Sequence, residues 1–254
     1  MPEGPSIVII KEAIASFKGK KVVRTEGNAS IDTTILVGQK LKTIRTWGKH
    51  LLLCFEKNMI RIHFLLFGTY SVDTQTKQDR SVRLALHFQG TSLYFYTCSV
   101  KLLHANPDDL YDWQADVLND HWNASKAKSK LKDMPKAFVC DALLDQEVFS
   151  GVGNIIKNEV LYRIKIHPES KIGNLPAPKL TALVREARKY SFDFLHWKKE
   201  FTLKKHWLAY SKKICLRCDL PFKKKYCGKT RRKTFYCTNC QVLYKREKNK
   251  SEGY

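Results

Sequence analysis

The chain has 254 residues, 43% of them hydrophobic, which is enough for two domains and a substantial core. Lysine and arginine number 46 against 24 acidic residues, and the formal net charge of +22 predicts a polyanionic partner such as nucleic acid. No run of about 18 apolar residues and no apolar signal-peptide core is present, so we expect no membrane span and a cytoplasmic location.

The first predicted element is a helix that begins at Pro5, since proline is well placed in the first turn of a helix. Apolar residues then recur at helical spacing until Gly19, and they are Ile7, Ile10, Ile14 and Phe17. The helix therefore holds the residues that precede it, Met1-Pro2-Glu3-Gly4, against a packed body.

Pro2 carries a secondary amine once Met1 is removed. An α-amino group has a pKa of roughly 8, so part of it is neutral and nucleophilic at physiological pH. Such amines attack carbonyl carbons to form Schiff bases, and Glu3 places a carboxylic acid beside the amine, as general acid catalysis requires. The alternative is a frayed chain start with no chemical role.

Short strands are predicted between about residues 20 and 103. Polar or glycine-containing turns separate four clear runs, which lie at 50–55, 59–64, 82–88 and 93–96. This spacing favours an antiparallel sandwich or barrel.

The stretch from about 135 to 205 is helical in pattern and contains Gly151-Val152-Gly153-Asn154 between two helices. The two glycines permit close backbone approach to a ligand, and the helix that follows offers free N–H groups to a phosphate. Taken alone, this motif fits a plain interhelical turn equally well.

Four cysteines near the C-terminus form two Cys-x2-Cys pairs separated by eighteen residues: Cys215, Cys218, Cys237 and Cys240. This spacing predicts a tetrahedral structural zinc ion in a small hairpin. Cys227 fits neither pair, and Cys54, Cys98 and Cys140 are interpreted as buried small hydrophobic residues. Lysines and arginines at 223–225, 229 and 231–233 make the hairpin suitable for phosphate contact.

The Met-Pro-Glu-Gly-Pro start, the Gly-Val-Gly-Asn-Ile turn and the cysteine finger with Arg232-Lys233-Thr234-Phe235-Tyr236-Cys237 occur in this order. Together they resemble the formamidopyrimidine-DNA glycosylase and endonuclease VIII family over nearly the whole chain. The resemblance implies a bifunctional DNA glycosylase and AP lyase of base excision repair.

The resemblance also implies roles for single residues. Pro2 is expected to be the nucleophile at C1′ of the damaged nucleoside, and Glu3 the acid that assists sugar opening and base departure. Lys49, in Trp47-Gly48-Lys49-His50, is similar to the family's phosphate-contacting lysine, although it can also be read as one more surface lysine. Asn154 matches the asparagine that holds the DNA backbone, and Arg232 the finger arginine linked to elimination.

Further DNA contacts are expected at Lys136 and Lys101. Because the target base must leave the stack, a wedge has to fill the gap, and the resemblance places this wedge at Leu65, Leu66 and Phe67. The alternative is that these three side chains continue a core strand.

The sequence departs from both best-known branches of the family. Leu66 stands where the guanine-directed branch has a wedge methionine, and Lys101-Leu102 where that branch has an Arg-Phe pair in the next loop. Residues 194–210 lack a glycine-rich lesion-capping loop. Leu65-Leu66-Phe67 is closer to the pyrimidine-directed branch, so oxidised pyrimidines are the favoured substrates. Oxidised purines such as 8-oxoguanine are the alternative, and a single-strand or abasic-site activity stays open.

The expected fold is a multidomain α+β protein. We predict a helix and antiparallel β-sandwich at 1–120, a helix–two-turn–helix domain at 121–210, a four-cysteine zinc finger at 211–245 and a disordered basic tail at 246–254. The expected partner is damaged double-stranded DNA, which the protein is expected to bind as a monomer at the nucleoid. A non-catalytic DNA-binding module is the rival, although binding alone needs none of Pro2, Glu3 and Lys49. A membrane-surface protein is disfavoured because no basic amphipathic helix stands out.

Overall fold

The computed structural model describes residues 2–245, and the predicted tail at 246–254 lies outside the described residues. Helix α1, Gly4–Ala13, opens the chain, with proline in its first turn as predicted. Eight strands follow: β1 Val22–Glu26, β2 Thr43–Trp47, β3 His50–Cys54, β4 Met59–His63, β5 Thr69–Val72, β6 Val82–Phe88, β7 Thr91–Tyr96 and β8 Ser99–Leu103. The four strongest sequence patterns correspond to β3, β4, β6 and β7.

The eight strands form two four-stranded antiparallel sheets, ordered β1-β6-β7-β5 and β2-β3-β4-β8. Leu51 and Leu53 of β3 oppose Ile62 and Ile60 of β4 and face the core between the sheets. Leu52 points the other way, into a smaller aromatic cluster. This alternation follows from the two-residue period of a strand. The predicted sandwich is confirmed, and its core is closed by Ile7 and Ile10 of α1 and by Ile14, which directly follows the helix.

The second half is helical up to the C-terminal hairpins. Its helices are α2 Pro107–Leu110, α3 Ala124–Lys132, α4 Val139–Ala142, α5 Asn154–Arg163 and α6 Ala177–Lys199. Short 3-10 turns occur at Ala15–Phe17, Thr34–Leu36, Asp79–Ser81, Trp113–Ala115, Ile172–Asn174 and Leu203–His206. Helix α5 is buried along nearly its whole length, so its polar side chains must find partners inside the protein.

Two small hairpins end the described chain. Strands β9 Ile214–Cys215 and β10 Leu220–Pro221 form one, and β11 Lys223–Cys227 and β12 Arg232–Tyr236 form the other. Cys227 and Tyr236 are buried in the same core as the helices. The second hairpin is therefore docked on the helical part and brings the start of β12 towards α5.

The cysteine interpretation holds in most positions. Cys98 and Cys140 are buried as interpreted, and so is Cys227, whereas Cys54, the last residue of β3, is only half-buried. Among residues 2–245 there is no helix with the length and apolar character needed to cross a membrane.

Candidate active site

The start of the chain is fixed against the loop that precedes α5. The Gly4 N–H donates to the carbonyl oxygen of Gly151 at 2.9 Å. A Cβ on Gly4 would lie 2.8 Å from Cα of Gly151, and Gly151 itself has a φ of +97°. Two glycines are therefore needed where these backbones meet.

Glu3 is fully buried at the N-terminus of α5. Its Oε1 accepts the Ile155 N–H at 2.7 Å, and its Oε2 accepts the N–H groups of Ile156 and Gly153, both at 3.2 Å. These are N–H groups that the first turn of a helix leaves free. Gly153 leaves room for the carboxylate, since a Cβ there would lie 2.6 Å from Oε1.

Burial raises the pKa of Glu3 above its ordinary value, and the Lys49 charge and the three N–H donors oppose that rise. Burial dominates because it removes the carboxylate from water. The side chain is thereby shifted towards its protonated form, which is the form that a general acid must have before it acts.

Lys49 lies in the turn between β2 and β3. The Gly48 N–H donates to Oδ2 of Asp116 at 2.9 Å, and Oδ1 of the same carboxylate accepts the Leu118 N–H at 3.0 Å. Asp116 is buried, and burial raises its pKa to about 6. The pKa of Lys49 is lowered, first by burial and also by the Arg232 charge, while Glu3 opposes the shift.

A cavity of about 320 Å³ gathers residues from distant parts of the sequence. Its lining is Pro2, Glu3, Lys49, Leu144, Gly153, Asn154, Thr230 and Arg232. Pro2 is half-buried and Arg232 is exposed, so the cavity is accessible from the outside. The structure thus brings together five of the residues predicted from sequence, which are Pro2, Glu3, Lys49, Asn154 and Arg232.

Arg232 is held in place through its strand. The Asn154 side chain donates from Nδ2 to the Lys233 carbonyl oxygen at 3.0 Å, and Oδ1 of Asn158 accepts the Phe235 N–H at 2.7 Å. The Asp141 carboxylate accepts the N–H groups of the turn before β12, from Lys229 at 2.9 Å and Thr230 at 3.1 Å. The Asn154 amide therefore contacts the hairpin, and its expected contact with DNA stays a prediction.

The four predicted cysteines form one cluster in which all sulfur atoms lie within 4.8 Å of one another. A tetrahedral zinc–thiolate site, with Zn–S near 2.3 Å, requires sulfur separations of about 3.8 Å. Cys215 and Cys240 meet this at 3.8 Å. The cluster therefore could hold a metal ion such as zinc, and Cys227 lies outside it.

The other predicted DNA contacts lie outside the cavity. Leu65, Leu66 and Phe67 form the exposed turn between β4 and β5, with 49%, 46% and 76% of their surface accessible. They do not continue the core strand, so that alternative is wrong, while their role as a wedge stays a prediction. Lys101 lines a separate groove of about 600 Å³ that also includes Leu65. Lys136 lies beside a third cavity.

One expectation about the wedge region needs correction. The family resemblance implies a loop at Lys101 and Leu102, but these residues lie in strand β8, opposite Arg61 and Ile60 of β4. The actual connection between β7 and β8 is only Thr97 and Cys98. Apolar and polar residues alternate over 99–103, which permits a strand, and the pairing of this segment with β4 makes it one.

Sequence reasoning missed several residues that organise the site. They are Asp116, Asp141, Lys157, Asn158 and Glu159, and all but Asp141 are buried. Glu159, for example, accepts the N–H groups of Leu208, Ala209 and Tyr210. For Lys157, Asn158 and Glu159 the available signal was a polar run inside a helix with apolar residues before and after it.

Known proteins provide an independent comparison. Residues 1–99 match the family model of the formamidopyrimidine-DNA glycosylase N-terminal domain, and residues 114–190 match that of its H2TH domain. Endonuclease 8-like 3 of Mus musculus is 30% identical over 78% of this chain and 34% of its own length. Formamidopyrimidine-DNA glycosylase of Acinetobacter baylyi is 26% identical over 96% of this chain and 99% of its own.

The fold is likewise that of solved relatives. The Lactococcus lactis Fpg (MutM) structure with N7-benzyl-Fapy-dG DNA superposes with a TM-score of 0.83 at 20% identity, covering 94% of this chain and 99% of that one. The matched segments together take in more than half of the chain, which therefore belongs to the formamidopyrimidine-DNA glycosylase family. It spans about a third of the length of the Endonuclease 8-like 3 relative.

Proposed function

We propose that this protein is a bifunctional DNA glycosylase and AP lyase of base excision repair, acting as a monomer on damaged double-stranded DNA. The observation that carries the proposal is the meeting of Pro2, Glu3, Lys49 and Arg232 in one cavity. Family membership supports the glycosylase chemistry, and the net charge of +22 supports a nucleic-acid substrate.

In the proposed first step, the Pro2 nitrogen attacks C1′ of the damaged nucleoside. The C1′–N bond breaks, and the base leaves with its electron pair and takes up the proton that the Pro2 amine loses. Glu3 supplies a proton to the sugar ring oxygen, so that the ring opens and a cationic iminium forms between Pro2 and C1′. A carboxyl held towards its protonated form by burial suits this role.

The iminium then acts as an electron sink. Loss of the C2′ proton breaks the C3′–O bond in a β-elimination that releases the 3′ phosphate. Loss of the C4′ proton then breaks the C5′–O bond in a δ-elimination that releases the 5′ phosphate. Water finally releases Pro2. Lys49 and Arg232 each place a cation at the cavity, where the phosphates that flank the lesion must lie.

The target base reaches the cavity only after leaving the stack. Leu65, Leu66 and Phe67 are the exposed apolar residues suited to fill the space it vacates. We assign the contacts to the DNA backbone to Asn154, Lys136 and Lys101, which lie on three different elements or loops.

Oxidised pyrimidines are the favoured substrates in this proposal. The Leu65-Leu66-Phe67 turn lacks a wedge methionine, and the connection between β7 and β8 is too short to supply a second inserting pair. Oxidised purines are the alternative. A duplex panel with thymine glycol, dihydrouracil, 8-oxoguanine and an abasic site distinguishes the two by relative cleavage rates.

We further propose one structural zinc ion at Cys215, Cys218, Cys237 and Cys240. Four thiolates close the coordination sphere, so the ion stabilises the hairpin and takes no part in the reaction. Because the same hairpin carries Arg232, the ion supports the active site indirectly.

Product analysis on a duplex with a single abasic site tests the lyase function. We expect strand cleavage, with a 3′-phosphate as the mark of completed δ-elimination. Binding without any cleavage would instead identify a non-catalytic DNA-binding module of the same fold.

A further inference from the structure

Polar side chains of α5 bind three consecutive residues of β12, Lys233, Thr234 and Phe235. Asn154 and Asn158 bind the backbone of Lys233 and Phe235, as described above. Between these two contacts lies Lys157, whose side chain is fully buried. A buried lysine is rare and calls for a specific partner.

Lys157 begins a short hydrogen-bond relay. Its Nζ donates to Oγ1 of Thr234 at 2.8 Å, and the Thr234 hydroxyl donates in turn to the carbonyl oxygen of Arg232 at 2.9 Å. Thr234 is itself buried, so water does not compete for the relay. The relay ends on the backbone of Arg232, a residue that lines the cavity.

We propose that Lys157 is a positioning residue that fixes Arg232 over the cavity through Thr234. The inference rests on the proposed function in one respect, that Arg232 contacts the DNA backbone. Without the relay, the Arg232 carbonyl loses its bond from the Thr234 hydroxyl, and the start of β12 is held less firmly, by the pairing of Arg232 with Cys227 in the hairpin.

The surroundings of Lys157 agree with this role. Burial lowers its pKa to about 8, and the groups that oppose this shift are Cys140, Cys227, Glu3 and Asp141. Both the ammonium and the neutral amine carry N–H groups, so either form can donate to Thr234. The relay therefore operates on both sides of that pKa.

A double-mutant cycle on DNA affinity tests the proposal. The probe is a duplex with a tetrahydrofuran abasic analogue, which binds without reacting, and the proteins are wild type, Lys157→Met, Arg232→Ala and the double variant. We expect Lys157→Met to weaken binding about tenfold, the typical effect of losing one charged hydrogen bond. In the Arg232→Ala background the same change should have little further effect, because Lys157 acts through Arg232.

Variants at Thr234 separate positioning from stability. Thr234→Ser keeps the hydroxyl and should bind like the wild type, whereas Thr234→Val should bind as weakly as Lys157→Met. If Lys157→Met does not fold, the pair Lys157→Met with Thr234→Val replaces it in the cycle, since the buried amine and the hydroxyl that it binds are then removed together. Lys189→Met, at a lysine paired with Asp193 on α6, is the matched control for loss of one positive charge.

Two results overturn the inference. One is a Lys157→Met variant that binds the duplex as tightly as the Lys189→Met control. The other is a Lys157→Met change that weakens binding as much in the Arg232→Ala background as in the wild type. Because the probe does not react, the outcome is independent of catalysis. If the wild type binds abasic DNA but never cleaves it, the proposed function is wrong, and the coupling between Lys157 and Arg232 in DNA affinity can still be interpreted.

Discussion

Replacing Gly153 with alanine should dislodge the buried carboxylate of Glu3. The backbone at Gly153 is extended, with φ of −122° and ψ of −163°, so alanine meets no conformational penalty there. Its Cβ, however, would lie 2.5 Å from Cγ and 2.6 Å from Oε1 of Glu3. The steric overlap is therefore the sole source of the effect.

The magnitude follows from the contacts that must give way. Glu3 accepts three N–H bonds, at 2.7, 3.2 and 3.2 Å. A hydrogen bond to a charged group contributes about 1.5–3 kcal/mol, and overpacking a core costs about 1–3 kcal/mol. We expect a loss of about 3 kcal/mol, or about 6–12 °C in Tm for a chain of this size. Cleavage of abasic DNA should fall at least about 100-fold, as expected for the loss of a positioned general acid.

The assays are thermal unfolding and cleavage of a duplex with one abasic site. Gly90→Ala is the control, because Gly90 has a φ of +72° and open space around it, so alanine there costs about 1 kcal/mol for backbone conformation alone. The reasoning is refuted if Gly153→Ala is no more destabilising than Gly90→Ala and cleaves abasic DNA at the wild-type rate.

Three further predictions concern the charge of buried acids and the metal cluster. The folded-state pKa of Glu3 is raised above 4.5, so the folded protein keeps a proton that the unfolded chain loses, and stability should fall as pH rises from 4.5 through the folded value. Urea unfolding of Glu3→Gln should not show this decline. A free energy of unfolding that depends on pH as in the wild type would contradict the prediction. The pKa of Asp116 is also raised, to about 6, so its contribution to stability should likewise fall as pH rises from 3.8 to about 6, and Asp116→Asn should remove this dependence. The variant should also cleave more slowly, because an amide has only one acceptor oxygen for the N–H groups of Gly48 and Leu118, which disturbs the turn beside Lys49. A fully active variant would speak against this contact. Elemental analysis of the wild type should find one zinc ion per chain. Cys237→Ser should lose this ion and Cys227→Ser should keep it. Metal retained in Cys237→Ser, or lost in Cys227→Ser, would disprove the assigned ligands.

Much of the site was predictable because its signals are local in the sequence. Pro2 and Glu3 are adjacent, and each cysteine pair is separated by two residues, so their chemistry can be interpreted without knowing the fold. The sandwich was also accessible, since strands such as β3 and β4 carry strong apolar patterns.

The supporting residues could not be predicted in this way because their partners are distant along the chain. Asp116 binds Gly48 across 68 positions, and Lys157 binds Thr234 across 77. Neither residue is part of a spacing motif. The placement of Lys101 failed for a related reason, since strand pairing with β4 decides it and the local sequence fits a loop as well.

The central claim is that Pro2 forms a Schiff base with an abasic sugar. Borohydride reduction during reaction with an oligonucleotide carrying one abasic site converts that intermediate into a stable covalent complex, provided that Met1 has been removed. We expect the complex with the wild type, its persistence in Lys49→Ala and its absence in Pro2→Gly. A complex that survives in Pro2→Gly, or none with the wild type, would contradict the account.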